Sequence, residues 1–126
     1  VLGMPPPSSG GLAIAQALGV FERVRAARGA ELSGWSATDP RYVHLLTEAM
    51  THAFADRARW LGDPAFVDVP VERLLSRQYL DDLASRVDMR HDTPLSKYGS
   101  TPADWPGDPV PEDGGTSHLS VVDTWG

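Results

Sequence analysis

From residue 12 to residue 87 apolar side chains recur every three to four positions, the spacing of helices that bury one face. Ile14, Leu18, Phe21 and Val24 or Arg25 form a first stripe and predict a helix over about 11–28. The Ser9 hydroxyl is placed to cap it and Gly29 to stop it. A second helix is predicted over 40–61. Asp39 is its cap, and Pro40 sits at the first helical position, where a missing N–H costs nothing. Tyr42, Leu45, Leu46, Ala49, Met50, Ala53, Phe54 and Leu61 line one side, and Gly62-Asp63-Pro64 ends the helix. Arg57 falls on or beside that side and calls for a carboxylate partner, because an unpaired buried charge is costly. Residues 66–69 read as extended. Two short helices follow over 70–76, with Val71, Leu74 and Leu75 inward, and over 77–87, capped by Ser76 and carrying Tyr79, Leu80, Leu83 and Val87.

The periodicity stops at Asp88. Residues 88–115 hold Pro94, Pro102, Pro106, Pro109 and Pro111 and four glycines, a length without pattern that is unusual inside a compact domain. Residues 116–122 then alternate as a strand does, and Asp123 to Gly126 reads as the start of a hairpin turn. The expected fold class is α+β, mainly helical with one terminal strand. A lone strand cannot satisfy its backbone groups. With Val1 at the start and Gly126 directly after the strand, this leads us to expect a piece of a longer protein.

Composition narrows the partners. The 126 residues carry 17 acidic and 11 basic side chains, a net charge of −6, which argues against nucleic acid or an anionic membrane as the main partner. There is no cysteine, so disulfides, thiolate nucleophiles and Cys-based metal sites are excluded. His44 and His52 stand two helical turns apart, too far to share an ion without other ligands, and no metal site is expected. Ser8-Ser9-Gly10-Gly11 lacks the lysine and spacing of a phosphate loop and reads as a helix start. Asp81, Asp82 and Asp88 read as a solvated face. Ser117 and His118 are neighbours on a strand and point to opposite sides, so they cannot form a triad with Asp123.

Gly114-Gly115-Thr116 is the stretch with chemical promise. Two glycines let a backbone approach a reacting group. A threonine exposed by a chain break behind them would hold a hydroxyl nucleophile and a free α-amine of near-neutral pKa in one residue. Three residues specify little, and on pattern alone a plain loop leading into a strand is the commoner explanation.

Three longer stretches add a family likeness. Met4-Pro5-Pro6-Pro7-Ser8-Ser9-Gly10-Gly11 comes first. Phe54-Ala55-Asp56-Arg57 with Leu61-Gly62-Asp63-Pro64, and then Thr116 to Asp123, follow at about the expected spacing. Together they resemble the γ-glutamyltranspeptidase family over nearly the whole chain. The resemblance implies an N-terminal-nucleophile hydrolase with an α/β/β/α sandwich in the parent protein. It implies a precursor that cuts itself between Gly115 and Thr116, so that 1–115 is the C-terminal part of the large subunit. Residues 88–115 are then the processing segment and 116–126 the first strand of the small subunit. Thr116 is the implied catalytic residue. The substrates are a γ-glutamyl donor such as glutathione and water or an amino acid or peptide as acceptor, with no cofactor. A periplasmic or secreted location is implied too. Arg57 is expected to be a structural ion-pair residue, and neither Ser8 nor Ser9 is a pocket serine of the family. Two alternatives stay open: a glutaryl-amide acylase of the cephalosporin type, and a non-catalytic helical interaction fragment.

Overall fold

A computed structural model describes residues 3–29, 34–100 and 124. The strand expected over 116–126 and the Gly115–Thr116 junction lie outside the described residues, Thr124 excepted.

The described part is mainly helical. Helix α1 spans Gly10–Arg28, α2 Pro40–Trp60, α3 Val71–Leu74 and α4 Arg77–Arg86, and a 3₁₀ turn covers Leu95–Lys97. Local chemistry sets the ends as the sequence suggests. The Asp39 carboxylate accepts from Arg41 N–H at 2.9 Å with Pro40 behind it. The Ser76 hydroxyl accepts from Tyr79 N–H at 3.3 Å. Gly29 closes α1 at φ +52°, a conformation that other residues adopt only with strain. Residues 66–69 do not start out extended. Asp63 draws the chain into a turn, its carbonyl accepting from Phe66 and Val67 N–H and its side chain from Ala65 N–H.

Helix α1 packs on α2 and α4. Val20 and Val24 meet Leu45 and Ala49 of α2 and Leu80, Leu83 and Val87 at α4. A second cluster joins Leu12, Trp60 and Leu74. Between them Ala13 and Ala17 lie against Ala53. On α4, Leu80 and Leu83 point inward as expected.

The buried faces of α1 and α2 are turned from the predicted ones. On α1 the buried set is Leu12, Ala13, Gln16, Ala17, Val20 and Val24, while Leu18 is exposed. On α2 it is Leu45, Glu48, Ala49, His52, Ala53, Asp56 and Trp60, with Met50 44% and Phe54 50% exposed. Small side chains explain the turn. Alanine against alanine lets two helices approach closely, and a Cβ on Gly19 would stand 2.9 Å from Leu80 Cδ1. Contact by short side chains, with polar pairs between them, outweighs the stripe of largest apolar residues.

Leu45 is fully buried where α1, α2 and α4 meet. Leu45→Ala should therefore destabilise this unit by about 2–5 kcal/mol, the usual range for a cavity of that size. Urea unfolding followed by circular dichroism checks it, with Leu95→Ala at an exposed position as the near-neutral control.

Candidate functional site

Helix α2 carries four residues spaced by one turn: Glu48, His52, Asp56 and Trp60. All four are buried. They form a row facing residues 93–100, which cross α2 as a strap without regular structure apart from the 3₁₀ turn.

Each member of the row holds a named part of the strap. Glu48 Oε2 accepts from Thr93 Oγ1–H at 2.6 Å and Thr93 N–H at 3.2 Å. Its Oε1 accepts from Tyr98 O–H at 2.5 Å. His52 Nδ1 accepts from Gly99 N–H at 3.1 Å. Asp56 Oδ1 accepts from Ser100 N–H at 2.7 Å. Trp60 Nε1–H donates to Ser100 Oγ at 2.5 Å. Arg86 of α4 completes the hold by donating to the carbonyls of Lys97 and Gly99 at 3.1 and 2.8 Å. Gly99 stands at φ +62°, and a Cβ there would lie 2.8 Å from Asp56 Oδ1. Only glycine fits this crossing without displacing its neighbours.

Asp56 also ties the helices together. Its Oδ2 accepts from Gln16 Nε2–H of α1 at 2.6 Å and from Tyr79 O–H of α4 at 2.7 Å. Beside it Arg57 Nε–H donates to Ser9 Oγ at 2.7 Å, and its guanidinium lies over the Phe54 ring. This corrects two expectations. Ser9 stands at the N-cap position but its hydroxyl makes no cap bond; it serves Arg57 instead. Arg57, half-buried, meets that hydroxyl rather than a carboxylate among the described residues, since Asp56 next to it faces the opposite way into the helix joint.

Burial shifts several groups. The His52 imidazole is held down to about 4 from its ordinary 6.5, first by loss of water and then by the Arg86 cation, against the pull of Glu48 and Asp56. Tyr98 is pushed up to about 12 by burial and by its bond to Glu48. Tyr79 is raised for the same kind of reason, beside Asp56. His44 Nε2 bonds the Asp88 carbonyl oxygen at 2.8 Å, and His44, Glu48 and Asp92 bring three donor atoms within 4.8 Å of one another. Both Glu48 oxygens are already engaged by Thr93 and Tyr98, so this group belongs to the anchoring of the strap. Asp81, Asp82 and Asp88 are exposed as expected, and each has a partner: Arg23, Arg86 and His91.

The described site is therefore an anchor rather than a reaction centre. The sequence-predicted nucleophile Thr116 and its neighbour Gly115 lie outside the described residues, beyond the end of the strap at Ser100. Sequence reading missed the anchor row. Its signal was present as polar residues at 48, 52 and 56, one per turn, on the same side of the helix as Leu45, Ala49 and Ala53.

No helix among the described residues is long and apolar enough to cross a membrane. The family model described as gamma-glutamyltranspeptidase matches residues 1–126. A glutathione hydrolase proenzyme of Pseudomonas aeruginosa is 41% identical over 122 residues, covering 97% of this chain and 20% of the relative. An acylase ACY 1 proenzyme of Pseudomonas sp. strain SE83 is 38% identical over 128 residues, 100% of this chain and 20% of that one. Among solved structures, a gamma-glutamyltranspeptidase from Pseudomonas nitroreducens superposes with a TM-score of 0.67 at 40% identity, over 75% of this chain and 27% of that chain. The chain thus spans about a fifth of the length of the curated relatives it matches.

Two outcomes follow for the anchor. Asp56→Ala removes the acceptor of three buried donors and should cost about 3 kcal/mol or more. Asp56→Asn should lose less, because one carbonyl oxygen remains; thermal unfolding of both variants checks the order. His52 is depressed in the folded state, so its contribution is complete above pH 6.5 and declines as pH falls toward 4, where the unfolded chain takes up a proton that the folded one refuses. The slope from this group approaches about 1.4 kcal/mol per pH unit inside that window. Urea titrations between pH 4 and 7 should show it, and His52→Gln should flatten it.

Proposed function

The chain belongs to the γ-glutamyltranspeptidase family, and from that premise we propose that it spans the self-cleavage junction of a γ-glutamyl hydrolase and transferase. In this proposal residues 1–115 close the large subunit and residues 116–126 open the small one, as the first strand of an N-terminal-nucleophile sandwich. The observation that carries it is the family match over all 126 residues, within which Gly114-Gly115-Thr116 and the alternating run after it both fall.

The chemistry runs in two stages on one residue. Thr116 Oγ attacks the Gly115 carbonyl carbon, the Gly115–Thr116 amide becomes an ester, and water opens the ester, leaving a Gly115 carboxylate and a free Thr116 amine. That amine then takes the hydroxyl proton as Thr116 Oγ attacks a γ-glutamyl carbonyl. The proton passes to the departing amine, and a γ-glutamyl ester stays on Thr116. Water or the amine of an amino acid or peptide resolves it, which returns the hydroxyl. Glutathione is the donor suggested by the names of the glutathione hydrolase relatives. The side chains that hold the glutamyl group lie in the parent protein beyond this chain. A periplasmic or secreted site of action belongs to the same proposal. The acylase relative supports a second reading, in which the same nucleophile opens a glutaryl-type amide. The two readings share every step up to the identity of the acyl group.

Thr116→Ala in the full-length precursor should abolish both stages. A denaturing gel is expected to show one uncut band, and a γ-glutamyl anilide should release no chromophore. The unmodified precursor is expected to give two bands, with amino-terminal sequencing of the smaller one starting at Thr116. Cleavage persisting in the variant would remove Thr116 from the role. Glutaryl-amide turnover without γ-glutamyl turnover in the cut enzyme would favour the acylase.

A further inference from the structure

We propose that His44, Glu48 and Asp92 form a binding site for a divalent transition-metal cation of the Zn²⁺ class, independently of the function proposed above.

Two elements supply the ligands. His44 and Glu48 stand one turn apart on α2, a spacing that puts both on one face. Asp92 comes from the chain after α4, directly before Thr93, and the bonds from Thr93 to Glu48 bring it there. One donor atom from each of the three lies within 4.8 Å of the other two, and His44 Nδ1 is 3.8 Å from Asp92 Oδ1. Ligand atoms around a tetrahedral ion with bonds of about 2.0–2.1 Å sit about 3.3 Å apart, so the group must close by roughly 0.5–1.5 Å. Asp92 can supply that movement, because its side chain is 90% exposed.

The tautomer of His44 is the observation that points to a cation. Its Nε2 is 2.8 Å from the Asp88 carbonyl oxygen, which can only accept, so Nε2 carries a hydrogen. In the neutral ring Nδ1 then presents a lone pair, and it does so beside two carboxylates. Three acceptors converge with no donor among them, an arrangement that a cation relieves. A ring N–H held by a backbone carbonyl is also the common outer support of a metal-bound histidine, fixing the ring and raising its basicity. Glu48 is supported in a similar way. Its Oε2 takes Thr93 Oγ1–H and N–H, while Oε1 takes Tyr98 O–H and keeps a second lone pair for the ion. Anchoring the strap and ligating a cation are thus compatible roles for this carboxylate. One imidazole with two carboxylates suits Zn²⁺ better than Mg²⁺ or Ca²⁺, which prefer oxygen alone. His44 and His52, two turns apart, offer no such site; the fold gives His44 other companions.

The test uses the full-length parent protein, freed of metal by dialysis against a chelator. Zinc chloride is titrated against a chromophoric competitor, with His44→Ala and Asp92→Asn compared after circular dichroism has shown unchanged helix content. The unmodified protein is expected to hold one more Zn²⁺ than His44→Ala. Asp92→Asn should weaken that site by about tenfold or more, since even changes outside the ligand set cost about 10–100-fold. X-ray absorption of the protein loaded at this site should show one imidazole among oxygen ligands, and equimolar Mg²⁺ should leave the Zn²⁺ in place. An unmodified protein that takes up no more Zn²⁺ than His44→Ala overturns the proposal and leaves a proton on Nδ1 to satisfy the group. Equal affinity in Asp92→Asn overturns it as well, and so does displacement by Mg²⁺. Should His44→Ala lose its helix content, Asp92→Asn decides alone, because that side chain is exposed.

Discussion

A single carboxylate orders most of what the structure describes. Asp56 is fully buried and takes donors from three directions: Gln16 on α1, Tyr79 on α4 and the Ser100 amide of the strap. A charge removed from water is tolerated only when hydrogen bonds replace the water, so the three elements must arrive together and in fixed orientation. This demand, joined to the alanine contacts beside it, sets how α1 and α2 are rotated about their axes. It explains why Leu18, Met50 and Phe54 lie outward while Gln16, Glu48 and His52 lie inward.

That inversion marks the boundary of what the sequence discloses. Helix ends were legible because they are decided within a few residues: Asp39 with Pro40, Ser76 three residues before Tyr79 N–H, Gly29 at positive φ. The inward side chains of α4 were legible because the residues it buries fully, Leu80 and Leu83, are apolar. The faces of α1 and α2 were legible only in part: Val24, Leu45, Ala49 and Ala53 lie inward as expected, but counting apolar residues assigns glutamate, histidine and aspartate to solvent. The strap was hidden for a related reason. Its bonds to α2 join residues forty or more positions apart, and local propensity in 88–100, broken by proline and glycine, carries no trace of them. Ser9 was misread because a serine before a helix looks like a cap wherever it occurs; its use by Arg57 depends on a helix thirty residues downstream.

The stretches that carry the family likeness acquire a physical meaning at this joint. Pro5 to Gly11 and Phe54 to Arg57 meet: Ser9 receives Arg57, and Gly11 lies so near the chain before it that a Cβ would stand 2.5 Å from the Met4 carbonyl oxygen. Asp56 and Arg57 are adjacent and serve opposite sides of α2, one toward α1 and α4, the other toward the turn that starts α1. Both side chains are engaged in hydrogen bonds within the joint. Such residues hold a scaffold together.

A polar anchor also differs from an apolar one in how it fails. Apolar contacts loosen by degrees, each lost square ångström weakening them a little. In the α2 row every acceptor is buried, so freeing one donor leaves its partner unsatisfied at a cost of about 1–3 kcal/mol, more than the net gain of an ordinary bond. Freeing Tyr98 from Glu48 Oε1, or Ser100 from Asp56 Oδ1, therefore costs more than an ordinary bond would gain. The row faces one more tension at its centre. His52 keeps Nδ1 as an acceptor for Gly99 only while neutral, and its buried Nε2 has no partner among the described residues. Burial keeps the ring neutral, and the neutral ring keeps Gly99 in place, so the same exclusion of water that strains the histidine also fixes the crossing.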